Sequence, residues 1–233
     1  MLLHVQTFGT GEPLLFLHDG GETGQSDFLQ QKEFFTNFFQ VIMTDLPGNG
    51  ESERDYDSIH ELIQLAMEDL LETLKHYHWK KVNLVASSAG AFLAIQFVKT
   101  YPQFVKTLCI SGIHPVKSEE WEKNEQAVRK QREALLGHAG MDQFFQKIAP
   151  KFMTLSLEED GYPFEITADL SFAKHIPTLV IAGAKQLSEL QGLVHYREKY
   201  PEVEVAALPF AGHLAYVDEP KLFNEVLLRF LNR

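Results

Sequence analysis

Short apolar runs alternate with longer segments of helical period, and this alternation constrains the fold more than any other feature of the sequence. Continuous apolar runs joined by helices are typical of parallel strands that are buried on both faces. Residues 59–77 carry apolar side chains at i, i+3 and i+4 spacing, which predicts a helix with one buried face. The sequence therefore predicts an α/β fold, a mostly parallel sheet flanked by helices. The strand-like runs are 14–18, 41–45, 82–86, 105–111, 178–183 and 203–208.

The strand pattern lapses between residues 114 and 174. A stretch rich in Glu, Lys and Gln leads there into a segment rich in aromatic side chains, and strand character returns at 176–181. About 60 residues with few aliphatic side chains would build a poor core of their own. We therefore expect a single domain over 1–233, with a core of 1–113 and 175–233 and a short helical lid inserted at about 114–174. The lid's aromatic residues suit internal packing and a substrate wall equally well; they are Phe144, Phe145, Phe152, Tyr162 and Phe164.

The charge of the chain bounds its partners. With 21 Lys and Arg against 32 Asp and Glu, the formal net charge is −11, so a nucleic acid or an anionic membrane surface would be repelled. The single cysteine, Cys109, lies in an apolar run and is expected to be buried and inert. The first residues lack the features of a secretion signal, and no apolar run is long enough to span a bilayer, so we expect a cytoplasmic protein. The oligomeric state is left open.

Residues 82–91 form a strand that runs into a helix through a turn of small residues. A serine at the tip of such a turn has a strained backbone, and the residues two before and two after it must be small. Ser88 satisfies this requirement with Ala86 and Gly90. Ser87 at the tip would instead put a β-branched valine in a crowded position. Ser88 is therefore the candidate nucleophile.

Together with three further motifs, this turn makes the chain resemble the α/β-hydrolase fold family over nearly its whole length. Residues 86–90 are similar to the family's Gly-x-Ser-x-Gly elbow, with Ala86 in place of the first glycine. Residues 17–21, Leu-His-Asp-Gly-Gly, resemble its His-Gly motif, and residues 45–52 match its Asp-x-x-Gly-x-Gly-x-Ser loop. Residues 212–214, Gly-His-Leu, resemble its catalytic-histidine loop. The four motifs occur in the family's order.

The resemblance implies acyl transfer through a covalent intermediate on Ser88, with His213 as general base and then general acid. It also implies an oxyanion hole formed by the backbone N–H groups of Ala89 and Gly20. Asp19 replaces the glycine that is commonest at its position. A carboxylate next to a developing oxyanion is unfavourable unless it points away.

Three other residues near these motifs are interpreted as structural. His18 is expected to stand beside the oxyanion loop and to bond to backbone. The loop that begins at Asp45 is expected to support the oxyanion loop through its turn geometry. Asp218 is interpreted as the N-cap of the final helix, predicted over 221–231.

The acidic partner of the histidine is the main departure from the family pattern. The corresponding position, three residues beyond the glycine that ends the strand after the lid, is occupied by Gln186. A glutamine oxygen can accept the Nδ1–H of the histidine, but it cannot offset the imidazolium charge. Glu189 is the first alternative, one helical turn beyond Gln186. Glu119 and Glu120, which follow the strand before the lid, are the others.

These observations predict a carboxylesterase-like serine hydrolase that acts on a small ester or a related carbonyl compound, without a metal or other cofactor. The alternative is a ligand-binding or regulatory protein of the same fold that has little or no catalytic activity. Gln186 is the main support for this alternative. The presence of both Ser88 and His213 favours the enzyme.

Overall fold

The computed structural model describes residues 1–119, 121–137, 144, 147–158 and 162–233. Within them, seven strands form one sheet in the order β1-β3-β2-β4-β5-β6-β7, parallel throughout except for β1, which pairs antiparallel with β3. The six predicted strands are confirmed. The sequence missed β1, a short and mostly half-buried edge strand without a continuous apolar run. The strands are β1 Val5–Phe8, β2 Pro13–Leu17, β3 Gln40–Thr44, β4 Val82–Ser87, β5 Val105–Ser111, β6 Thr178–Gly183 and β7 Glu204–Leu208.

Helices cover both faces of the sheet, which confirms the predicted fold class. Helices α2, α3 and α7 pack on one apolar face, and α1 and α9 pack on the other. Cys109 lies in the second face and is buried. No helix among the described residues is long and apolar enough to cross a membrane. The helices are α1 Leu29–Phe35, α2 Ile59–His76, α3 Ala89–Thr100, α4 Trp121–Leu136, α5 Pro150–Glu158, α6 Phe164–Thr167, α7 Leu187–Lys199, α8 Ala215–Asp218 and α9 Pro220–Leu231.

The winding of the sheet changes direction beside β2. From β2 the chain passes to β3 on one side and then to β4 on the other, so β2 and β4 are neighbours. Ligands of open α/β sheets bind at such a switch point, outside the carboxyl ends of the strands. The two motifs that follow β2 and β4 therefore meet at this edge.

The segment between β5 and β6 contributes α4, α5 and α6, and the residues at and just before the start of α5 contact loops at the same edge. The N–H of Gly50, in the loop after β3, donates to the carbonyl of Ile148 at 2.9 Å. The ammonium of Lys151 on α5 lies 2.7 Å from the carboxylate of Asp55. These contacts hold α5 above the carboxyl ends of β2 and β3, where the sequence predicts a lid.

Candidate active site

The turn between β4 and α3 places Ser88, and not Ser87, in the strained conformation. Ser88 has φ 51° and ψ −117°, while Ser87 is the last residue of the strand. Gly90 has to be a glycine because a Cβ there would overlap the carbonyl oxygen of Leu17 and lie 2.6 Å from that of His18. The crowding partner is thus the end of β2 rather than Ala86. This close approach aligns the start of α3 with the loop that follows β2.

That loop, residues 18–24, is held by the side chain of its first residue. His18 is 1% exposed, its Nε2 accepts the N–H of Leu46 at 2.9 Å, and its Nδ1 donates to the carbonyl of Asp19 at 2.6 Å. Burial lowers the pKa of His18, so the ring is neutral and both nitrogens are used. The prediction of a structural histidine bonded to backbone is confirmed.

The loop after β3 supports loop 18–24 from the other side, as predicted. The Asp45 carboxylate accepts the N–H of Gly24 at 2.7 Å and the N–H of Glu51 at 2.9 Å. The amide of Asn49 donates to the carbonyls of Gly20 and Glu22, both at 2.8 Å. Side chains of one motif therefore fix the backbone of the other.

Two backbone N–H groups are available where the sequence predicts an oxyanion hole. Ala89 is the first residue of α3, and an N–H in the first helical turn lacks an acceptor within its helix. The N–H of Gly20 has no acceptor among the described residues. The carboxylate of Asp19 accepts the N–H of Gly21 at 3.1 Å, so its charge is engaged within the loop.

Phe152 from α5 covers Gly20. A Cβ built on Gly20 would overlap the tip of the Phe152 ring, so the ring occupies the space that a side chain at position 20 would need. Phe152 is thus a predicted lid aromatic that reaches loop 18–24. Phe144 is 40% exposed, and Phe145 lies outside the described residues.

His213 pairs with Glu189. Its Nδ1 lies 2.5 Å from Oε1 of Glu189, a residue of the first turn of α7. The side chain of Glu189 is 2% exposed and that of His213 is 38% exposed. A carboxylate in this position favours the tautomer with a proton on Nδ1, which leaves Nε2 able to accept a proton. The positive end of the α7 dipole also favours the carboxylate.

The other candidate acids are placed differently. Gln186 is the exposed residue that precedes α7, and its side chain forms no hydrogen bond to His213. Glu119 is exposed. Glu120 lies outside the described residues. Among the candidate acids that the structure describes, Glu189 is the one that contacts the histidine.

Two neighbours position the His213 loop and its ring. The carboxylate of Asp218 accepts the N–H of Gly212 at 2.7 Å. The interpretation of Asp218 as a helix cap is therefore wrong: it ends α8, and Glu219 precedes the final helix. Gly112, at φ 68° after β5, leaves room for the imidazole, since a Cβ there would lie 3.0 Å from Cε1 of His213 and 3.4 Å from Oγ of Ser87. The ring therefore lies beside the elbow.

An aromatic cluster adjoins the His213–Glu189 pair. The Tyr162 hydroxyl accepts the N–H of His114 at 2.7 Å, and its ring centroid lies 5.2 Å from that of Trp121. Burial, with His213 nearby, lowers the pKa of His114 to about 4, so this second imidazole stays neutral. Sequence reasoning did not identify His114, because no local pattern predicts that it lies next to His213.

Comparison with known proteins agrees with this fold. The model of a family described as alpha/beta hydrolase fold matches residues 12–140. The chain is 21% identical to the AB hydrolase superfamily protein YisY of Bacillus subtilis (strain 168), over 99% of this chain and 95% of that protein. It is 24% identical to the (E)-2-((N-methylformamido)methylene)succinate hydrolase of Acinetobacter baylyi, over 97% of this chain and 79% of that hydrolase. A thermophilic esterase from Thermogutta terrifontis has the same fold: it is 21% identical, with a TM-score of 0.74, and the match covers 99% of this chain and 93% of the esterase.

Proposed function

The chain belongs to the alpha/beta hydrolase fold family, and from this premise we propose that it is a serine hydrolase that cleaves small esters through an acyl-enzyme on Ser88. The observation that carries the proposal is the 2.5 Å contact between Nδ1 of His213 and the buried carboxylate of Glu189. It supplies the charged partner that position 186 lacks. The alternative of a ligand-binding protein with little catalytic activity thereby loses its main support.

In the proposed acylation, the Ser88 hydroxyl attacks the ester carbonyl while Nε2 of His213 accepts the hydroxyl proton. Glu189 holds the ring by Nδ1–H and stabilises the imidazolium that forms. The N–H groups of Ala89 and Gly20 receive the negative charge on the carbonyl oxygen. Collapse of the tetrahedral intermediate expels the alcohol, which takes the proton from Nε2 and leaves the acyl group on Ser88.

In deacylation the same groups act on water. Nε2 of His213 removes a proton from water, which attacks the acyl carbonyl, and then returns this proton to Oγ of Ser88 as the acid leaves. No step requires a metal or an organic cofactor. Among the described residues, no three His, Cys, Asp or Glu side chains are grouped so as to hold a metal ion.

A fluorophosphonate probe and p-nitrophenyl esters of increasing acyl length test the proposal. We expect covalent labelling on the peptide that contains Ser88, together with ester hydrolysis, and loss of both in Ser88→Ala. Ser171→Ala, at an exposed serine before β6, is the matched control and should behave as the wild type. Wild-type protein that is neither labelled by the probe nor able to hydrolyse the esters would refute the proposal of a serine hydrolase.

A further inference from the structure

A buried carboxylate lies behind loop 18–24 and takes no part in the proposed chemistry. Asp27, which lies between this loop and α1, is 4% exposed. Its Oδ2 accepts the N–H of Asp19 at 3.0 Å, and its Oδ1 accepts the N–H of Phe28 at 3.1 Å. Phe28 has φ 48°, a left-handed conformation that is unfavourable for a bulky residue. Asp27 therefore binds the backbone N–H of Asp19 and that of Phe28, a residue with a strained backbone.

The first of these groups controls the direction of a proposed oxyanion donor. In a trans peptide the C=O and the N–H point in opposite directions, so the Gly20 N–H is opposed to the C=O of Asp19. That C=O accepts Nδ1–H of His18 at 2.6 Å and the N–H of Glu22 at 3.0 Å. Asp27 holds the N–H on the other side of the same residue. Because both the N–H and the C=O of Asp19 are held by hydrogen bonds, the direction of the Gly20 N–H is fixed as well.

The same carboxyl also faces the elbow. Tyr216 is fully buried, and its ring stacks on Phe28 with centroids 4.1 Å apart. Its hydroxyl adjoins both the Asp27 carboxyl and the Ser87 hydroxyl, although neither contact has full hydrogen-bond geometry. Asp27 and Tyr216 thus fill the space between loop 18–24 and the residue before the proposed nucleophile.

We propose that Asp27 is a positioning residue that fixes the backbone of Asp19, and through it directs the Gly20 N–H at the oxyanion. This inference rests on the proposed hydrolase function. It concerns kcat rather than substrate binding, because the charge that the Gly20 N–H stabilises develops after the substrate is bound.

The test measures kcat and KM for a p-nitrophenyl ester in the wild type, Asp27→Ala and Asp27→Asn. Removal of one oxyanion donor costs about 10²–10³ in kcat, so misdirecting one should cost roughly 10- to 100-fold in Asp27→Ala, with KM within about threefold. Asp27→Asn keeps an oxygen that can accept the Asp19 N–H, and should recover at least about fivefold of this loss. Asp69→Ala is the control: Asp69 is 1% exposed on α2 and pairs with Arg54, so it should lose stability and keep its kcat.

A second measurement separates positioning from general destabilisation. An aryl trifluoromethyl ketone forms a charged adduct with a serine nucleophile, so its affinity should fall in Asp27→Ala, and to a smaller extent in Asp27→Asn, by the same factor as kcat/KM falls in the same variant. This comparison also serves if Asp27→Ala does not fold. A kcat within about threefold of the wild type in folded Asp27→Ala, equal losses in the Ala and Asn variants, or unchanged ketone affinity alongside a reduced kcat/KM would overturn the inference. A wild type without esterase activity would instead refute the proposed function.

Discussion

Replacing Glu189 by Gln tests the proposed acid most directly, because it keeps the length of the side chain and removes its charge. At 2.5 Å, a full charge pair in an effective dielectric constant of about 20 is worth at most about 7 kcal/mol. The His213 side chain is 38% exposed, so solvent screens part of this energy. Loss of the acid in other serine hydrolases costs about 10⁴ in turnover. We therefore expect kcat to fall by about 10²–10⁴ in Glu189→Gln.

The assay is steady-state hydrolysis of a p-nitrophenyl ester, with active sites counted by fluorophosphonate labelling. Glu189→Asp keeps the charge but is one methylene shorter, so its kcat should lie between those of the wild type and Glu189→Gln. Glu198→Gln removes an exposed carboxylate from the same helix and should leave kcat unchanged. A Glu189→Gln variant that keeps more than about a third of the wild-type kcat would show that another group orients the imidazole.

Four further predictions concern the residues around this pair. The pKa of Asp27 is raised from 3.8 to about 7, mainly by burial, with Asp19 and Glu22 nearby; its ionisation therefore destabilises the fold as pH rises from about 4 to 7. The free energy of unfolding of Asp27→Asn, relative to that of the wild type, should therefore rise by roughly 2 to 3 kcal/mol between pH 5 and pH 8. Urea unfolding that shows the same difference at both pH values would contradict this. Gln186→Asp supplies an N-cap acceptor to α7 and should add about 0.5–1 kcal/mol in urea unfolding; a large rise in kcat would instead identify position 186 as the acid site. Gly112→Ala should reduce kcat at least about tenfold by displacing the imidazole, whereas Gly11→Ala, at φ 112° and remote from the site, should cost only about 1–2 kcal/mol of stability; similar kinetics of the two variants would argue against this role. Phe152→Ala should shift the preference among p-nitrophenyl esters toward longer acyl chains by about 10-fold or more, and the same length profile in variant and wild type would exclude Phe152 as a boundary of the pocket.

The sequence predicted the sheet well because most of its strands are buried. Runs such as 105–111 and 178–183 are apolar throughout, and a run of that kind between helical segments has few other interpretations. The sequence did not predict β1, because Val5–Phe8 is short and lies at the edge of the sheet, where only part of each side chain is buried. Its antiparallel pairing with β3 depends on long-range contacts that no local pattern encodes.

The site was predictable where local sterics define it. The small residues around Ser88 predict the register of the elbow, and the structure has the strained backbone at that serine, although Gly90 is crowded by the end of β2 and not by Ala86. The acid was harder, because Gln186 and Glu189 are separated by one helical turn and linear spacing does not say which of them faces the histidine. The start of α7 at Leu187 decides this, and it leaves Gln186 in solvent. Asp27 carried no local signal, since its partner Asp19 is reached only through the fold of the loop.

The position of the acid on α7 also has an evolutionary consequence. In this arrangement the side chains of the turn 184–186 are exposed and take no part in the proposed reaction, so substitutions there should be tolerated. Substitutions in the first turn of α7 should be tolerated less, because a rotation or shift of the helix would move the Glu189 carboxylate away from His213. Among orthologues we therefore expect Glu189 to be invariant beside a variable turn.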